Sequence, residues 1–152
     1  MIGLLAGTVY DSPKNILAIK NLNALNEHGV QSCLFCDIVE RNFSVPVKTN
    51  ALQRAQAFNF NGTIITQELP LVQDLKNIVY ATKRYIYLYD MDWMRIKDLQ
   101  FSHIRETLLH EDIDIVVRSD SHYEIVSRLF KTPVAIMKYW DVNLLKELDS
   151  NG

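Results

Sequence analysis

The stretch Ile2-Gly3-Leu4-Leu5-Ala6-Gly7-Thr8-Val9-Tyr10-Asp11-Ser12-Pro13 decides the fold. Its first five residues are a short apolar run without a basic leader, which reads as a strand and not as the core of a signal peptide. Ser12-Pro13 opens a helix. A serine N-cap offers its oxygen to the first unpaired amides, and proline fits the first turn because no partner waits for its missing N–H. That helix runs to about His28 and stops at Gly29, and a second apolar run from Val30 to Cys36 ends in Asp37. Strand, helix and strand in this order form a crossover unit, the device that joins parallel strands.

The same alternation continues along the chain. Thr63 to Thr66 reads as a strand, and Leu71, Val72, Leu75, Ile78, Val79 and Thr82 carry the spacing of a helix that packs one stripe on a sheet, the clearest in the chain. Tyr85 to Tyr89 and Ile113 to Val117 are further strands, separated by Asp92-Trp93 and a helix within Ser102 to His110. Ser121-His122-Tyr123-Glu124 has the S-x-x-E form of a capping box, with Ile125, Val126, Leu129 and Phe130 on one face behind it. Lys131-Thr132-Pro133 ends that helix before a last strand, Val134 to Met137, and a short closing helix around Leu144, Leu145 and Leu148. Ile38 to Gly62 reads as a loop with a short helix over Ala51 to Ala57. The expectation is an α/β fold, a Rossmann-like three-layer sandwich around a mainly parallel sheet of about six strands, as one domain over residues 1–152.

Composition agrees with that reading. The 152 residues are 48% hydrophobic and 22% charged, with 16 basic against 18 acidic side chains. Folding a chain of this length buries about two thirds of the unfolded surface, enough for a core without staples. No apolar run approaches the roughly 20 residues of a membrane span. The balanced, interspersed charges form no basic block, so neither membrane nor nucleic acid is an expected partner, and the cytoplasm (the host's, for a viral chain) is the expected location. Cys33-Leu34-Phe35-Cys36 is a C-x-x-C, but it lies on a strand, where residues three apart point to opposite faces. The four histidines show no close ligand spacing, so no metal is expected and the cysteines read as two small buried hydrophobes.

In an open parallel sheet the ligand crevice lies beyond the carboxyl ends of the strands, where the strand order reverses. Strand ends therefore select the candidates: Asp11, Asp90 and Asp92 as catalytic carboxylates, with Gly7, Thr8, Tyr10, Trp93, Arg118 and Ser119 as ligand-binding residues. Carboxylates act as bases or hydroxyl acceptors, arginine is an anion fork, and tryptophan is a stacking wall. Polar residues also gather at strand ends simply because strands stop where water begins. Asp37 falls near the distance at which an acid holds a ribose, yet Gly3 and Gly7 do not make G-x-G-x-x-G; G-x-x-x-x-G-K-[ST] and G-x-S-x-G are absent too. No cofactor is expected, and a flavodoxin-like nucleotide enzyme is the least favoured reading. Tyr85, Tyr87 and Tyr89 alternate on one strand and share a face that flanking helices should cover.

Four landmarks together carry a likeness: a strand ending at Gly7, a helix closing in Glu27-His28-Gly29-Val30, a strand ending in Tyr89-Asp90-Met91-Asp92-Trp93, and Val117-Arg118-Ser119. The chain resembles the N-terminal half of a GT-B-fold glycosyltransferase, in particular small viral (phage) and bacterial sequences of that kind. The resemblance implies an acceptor-binding domain in which Thr8, Asp11, Asp90 and Arg118 contact a sugar-bearing acceptor. It also implies that a second Rossmann-like domain binds the nucleotide sugar, with Trp140 to Gly152 as linker or returning tail helix. The E-x(7)-E type donor signature of that second half does not occur here, so transfer by this chain alone is not expected. The alternative is a non-catalytic interaction or regulatory protein on the same scaffold, docking through the apolar segment Val134 to Leu148 on a partner chain or a second copy.

Overall fold

The computed structural model describes residues 1–94 and 101–150. Seven strands form one sheet in which every pairing is parallel: β1 (Ile2–Leu5), β3 (Ser32–Cys36), β5 (Asn50–Gln53), β6 (Thr63–Thr66), β7 (Lys83–Leu88), β8 (Asp114–Val117) and β9 (Ala135–Ile136). Their spatial order is β5-β3-β1-β6-β7-β8-β9. Counted along this sheet the order is 3-2-1-4-5-6-7, the doubly wound Rossmann-like arrangement, with its reversal between β1 and β6. Two further strands, β2 (Thr8–Val9) and β4 (Ile38–Val39), pair in parallel as a separate two-stranded sheet.

Helix α1 (Pro13–Glu27) is capped as its sequence requires: the Ser12 side chain accepts from the Asn15 amide and Pro13 stands in the first turn. It ends at Gly29, whose φ of +77° suits only glycine without strain. Helix α1 and the closing helix α5 (Val142–Ser150) cover one face of the sheet, where Ile19, Leu22, Leu25, Leu145 and Leu148 meet Leu4, Leu34, Ile65 and Tyr87. The other face packs under α2 (Val72–Asn77), α3 (Phe101–Leu108) and α4 (Asp120–Leu129), where Leu75, Ile104, Leu108 and Val126 meet Leu5, Ile64, Ile86 and Ile115. Three layers follow from this division. Cys33 and Cys36 are free, buried thiols in opposite clusters, one per face, and burial raises the pKa of both. Tyr85, Tyr87 and Tyr89 are buried together on the α1 side, as their alternation requires. Among the described residues no helix is long and apolar enough to cross a membrane.

Three elements depart from expectation. The helix expected over 71–82 is cut to one 3-10 turn and the six residues of α2. Leu71, Val72, Leu75 and Ile78 exhaust the buried stripe, Val79 and Tyr80 stand out in solvent, and the chain must turn back to bring Thr82 beside Gly62. Arg84 closes this end by donating from Nε and Nη2 to the Ile78 carbonyl at 3.0 and 2.8 Å. Residues expected as a short helix over 51–57 divide into β5 and a 3-10 turn, Arg54–Asn59; β5 is an edge strand with all four residues exposed, so no buried alternation marks it. The sheet thus has seven strands where about six were expected. Helix α4 is capped by Ser119, which accepts from the His122 amide, two residues before the expected capping box at Ser121.

The apolar segment Val134 to Leu148 is largely spent inside the molecule. Met137, Trp140, Leu145 and Leu148 are core residues, leaving Val134, Ile136 and Tyr139 exposed.

Candidate functional site

The carboxyl ends of β1, β6 and β7 stand side by side, and above them lies a crevice of about 190 Å³ lined by Tyr10, Ser12, Pro13, Lys14, Tyr89, Asp90 and Asp92. One wall is the turn into α1 and the other is the chain leaving β7. The crevice lies at the carboxyl side of the sheet, near the reversal of strand order where ligands of such sheets bind.

The first wall does not have the tight glycine turn of a dinucleotide site. After Ala6 the chain runs on as β2 beside β4, held by hydrogen bonds from Asp37 N to Gly7 O and from Glu40 N to Val9 O, both 2.9 Å. The Gly7 amide, which in a dinucleotide site would face the pyrophosphate, donates instead to Glu68 Oε1 at 3.2 Å. A Cβ on Gly7 would lie 3.2 Å from the other carboxylate oxygen, so glycine lets the acid approach closely. Burial raises the Glu68 pKa, opposed by the Gly7 N–H and by the charges of Lys14 and Arg54. Its folded form therefore holds a proton more tightly than the unfolded chain, and ionising it subtracts stability as pH rises from about 4.3, the free glutamate value, through the folded value. Glu68→Gln keeps an acceptor for Gly7 and cannot ionise. Urea unfolding across pH 4 to 7 is expected to show the variant gaining on wild type as pH rises; a difference that stays flat with pH would contradict it.

The second wall carries the charges. Asp90 Oδ1 accepts from Arg118 Nη1 at 3.3 Å, and the Arg118 guanidinium lies 4.8 Å from the centre of the Tyr89 ring. Across the crevice Lys14 Nζ donates to Asp92 Oδ2 at 3.3 Å. All four groups are partly exposed, so these pairs fix geometry more than they stabilise. Asp90 Oδ2 and Asp92 Oδ1 have no protein partner among the described residues and stand as acceptors at the rim.

The expected site residues thus separate into two groups. Tyr10, Asp90 and Asp92 come together at the crevice, with Arg118 behind Asp90 and Gly7 at the foot of the first wall. Asp11 is turned elsewhere: its Oδ1 accepts from the amide and hydroxyl of Ser44 at 2.8 and 2.9 Å, tying the chain after β4 to the start of α1. Thr8 is exposed on β2 opposite Ile38. Trp93 packs on the α4 face, edge-on to Phe130 with ring centres 5.4 Å apart, and Ser119 serves as the α4 cap. Lys14, Asn15, Gln67 and Glu68 belong to the site or its support without having been expected. Thr66-Gln67-Glu68 follows a recognisable strand, but only the sheet order shows that this strand borders the reversal.

Beneath the crevice lies a buried polar relay. Asn15, Gln67 and Trp140 are only 3%, 5% and 3% exposed. Trp140 Nε1 donates to Gln67 Oε1 at 3.3 Å, Gln67 Nε2 to Asn15 Oδ1 at 2.7 Å, and Asn15 Nδ2 to the Tyr10 carbonyl at 3.1 Å. Among the described residues no group of three or more His, Cys, Asp or Glu could hold a metal ion.

Sheet order, layers and crevice define a Rossmann-like α/β protein. Comparison of the chain with protein-family models, with curated proteins and with solved structures finds no match.

Proposed function

We propose that this chain binds a small polyhydroxylated ligand in the crevice, in the manner of the acceptor-binding half of a GT-B glycosyltransferase. The observation that carries the reading is the pairing of one exposed aromatic wall, Tyr10, with two carboxylates, Asp90 and Asp92, each of which keeps one oxygen without a protein partner among the described residues. Sugars are recognised in this way: aromatic rings cover their C–H faces and charged acceptors order their hydroxyls. The filled amide at Gly7 speaks against a dinucleotide in the same place, because a pyrophosphate would have to displace Glu68. In a transfer reaction Asp90 or Asp92 would accept the hydrogen of the attacking acceptor hydroxyl, and the nucleotide sugar would sit on a second domain or partner chain. The interaction-protein alternative retains only Val134, Ile136 and Tyr139 as exposed apolar residues of its proposed docking segment.

Calorimetric titration of the chain with a panel of simple glycosides and with UDP- and GDP-sugars tests the reading. Glycoside binding is expected, with Tyr10→Ala weakening it about tenfold, roughly the value of one aromatic contact. Tight binding of a nucleotide sugar to this chain, with no glycoside bound, would overturn it.

A further inference from the structure

Trp140 is an unusual residue for a core. It is the only non-glycine residue with positive φ among those described, at +49°, and it is 3% exposed. A bulky side chain in the left-handed region is strained, and such strain persists only where surrounding contacts enforce it. Those contacts run in two directions. On one side the indole N–H enters the relay through Gln67 and Asn15 to the carbonyl of Tyr10. On the other, the indole ring meets Tyr87 edge-on at 5.3 Å, and Tyr87 in turn meets Tyr89 edge-on at 5.8 Å. Both Tyr10, which is exposed, and Tyr89, which is buried, line the crevice.

We infer that Trp140 is the positioning residue of the crevice, setting Tyr10 and Tyr89 from below without touching the ligand. The inference rests on the crevice being the binding site, and it adds a residue from the far end of the chain to that site.

The chemistry of the relay gives Trp140 this authority. An indole N–H can only donate, whereas each side-chain amide can be turned either way round. With Trp140 donating, Gln67 must present its oxygen to the indole and its NH2 to Asn15. Asn15 must then present its oxygen to Gln67, which leaves its NH2 for Tyr10. The donor-only indole at one end and the acceptor-only Tyr10 carbonyl at the other therefore demand the same order of both amides, and the closed relay holds that carbonyl at the mouth of α1. Without that N–H the buried Gln67 Oε1 loses its donor, the order of the amides rests on the Tyr10 carbonyl alone, and the relay loosens at the end that anchors it.

Trp140→Phe keeps an aromatic ring for Tyr87 and removes the donor. Leu145→Val is the control, a core substitution on the same face of the sheet and outside the relay. Glycoside affinity and thermal midpoint are measured for wild type and both variants, together with the 13C shift of the Tyr10 carbonyl in the ligand-free protein. The expected result is a weakening of glycoside binding by about tenfold in Trp140→Phe, a displaced Tyr10 carbonyl resonance, and unchanged affinity in Leu145→Val despite its lower midpoint. Equal loss of affinity in both variants, or unchanged affinity in Trp140→Phe, would overturn the inference. Should wild type bind no glycoside, the functional reading fails by itself, and the Tyr10 resonance still decides the relay: displaced in Trp140→Phe it stands, unmoved it falls.

Discussion

Tyr87→Ala is expected to lower the unfolding free energy by about 4 kcal/mol. Tyr87 is fully buried near the carboxyl end of β7, its ring edge-on to both Tyr89 and Trp140, and its hydroxyl donates to the Met137 carbonyl. Truncation removes the ring that two neighbours pack on and leaves a cavity between β7 and the returning C-terminal segment. Tyr87→Phe separates the contributions: it keeps the ring and strands only the Met137 carbonyl, for a loss of about 1–2 kcal/mol. Urea unfolding of the three proteins decides the matter. A loss below about 2 kcal/mol for the alanine variant would show that the C-terminal segment does not depend on β7 for its seat.

Gly62→Ala is the second large effect, with an expected loss of about 2–3 kcal/mol from overpacking. A Cβ there would lie 2.5 Å from the Met1 carbonyl oxygen and 2.9 Å from the Phe60 ring. That carbonyl accepts the Thr63 amide at 3.0 Å, the first bond between β1 and β6, so relief of the clash opens the sheet at its centre. Gly29→Ala is the instructive contrast. Nothing lies within 4 Å of its added carbon, and only the positive φ opposes it, so its loss should stay near 1 kcal/mol. If the two variants lose the same stability by urea unfolding, close approach is not what keeps glycine at position 62.

Five of the seven sheet strands, and α1 with both its ends, are legible because each leaves a local signal: an apolar run, a cap, a glycine stop. The sixth readable strand, Val134 to Met137, is real but only two residues of it pair regularly, since it lies at the sheet edge. β5 is silent because Asn50-Ala51-Leu52-Gln53 buries nothing, and periodicity is a record of burial. The over-long helix at 71–82 fails for the opposite reason. Val79 carries the right spacing but is 67% exposed, since what ends α2 is the return toward β7 and the Arg84 clasp, both non-local. Of the site, Tyr10, Asp90 and Asp92 are found by counting strand ends. Gln67 and Trp140 are not, because they lie 73 residues apart and no pattern in either neighbourhood announces a hydrogen bond between them.

The order of the sheet bears on how the chain behaves during synthesis. β1 is a central strand whose two neighbours are β3 and β6. Ile2, Leu4 and Leu5 reach the ribosome exit well ahead of Thr63–Thr66, the partner that seals their second edge. At the usual pace of about 5–20 residues per second, that greasy ribbon waits several seconds with one side unpaired. Slowing elongation before residue 63 would lengthen the exposure of that edge.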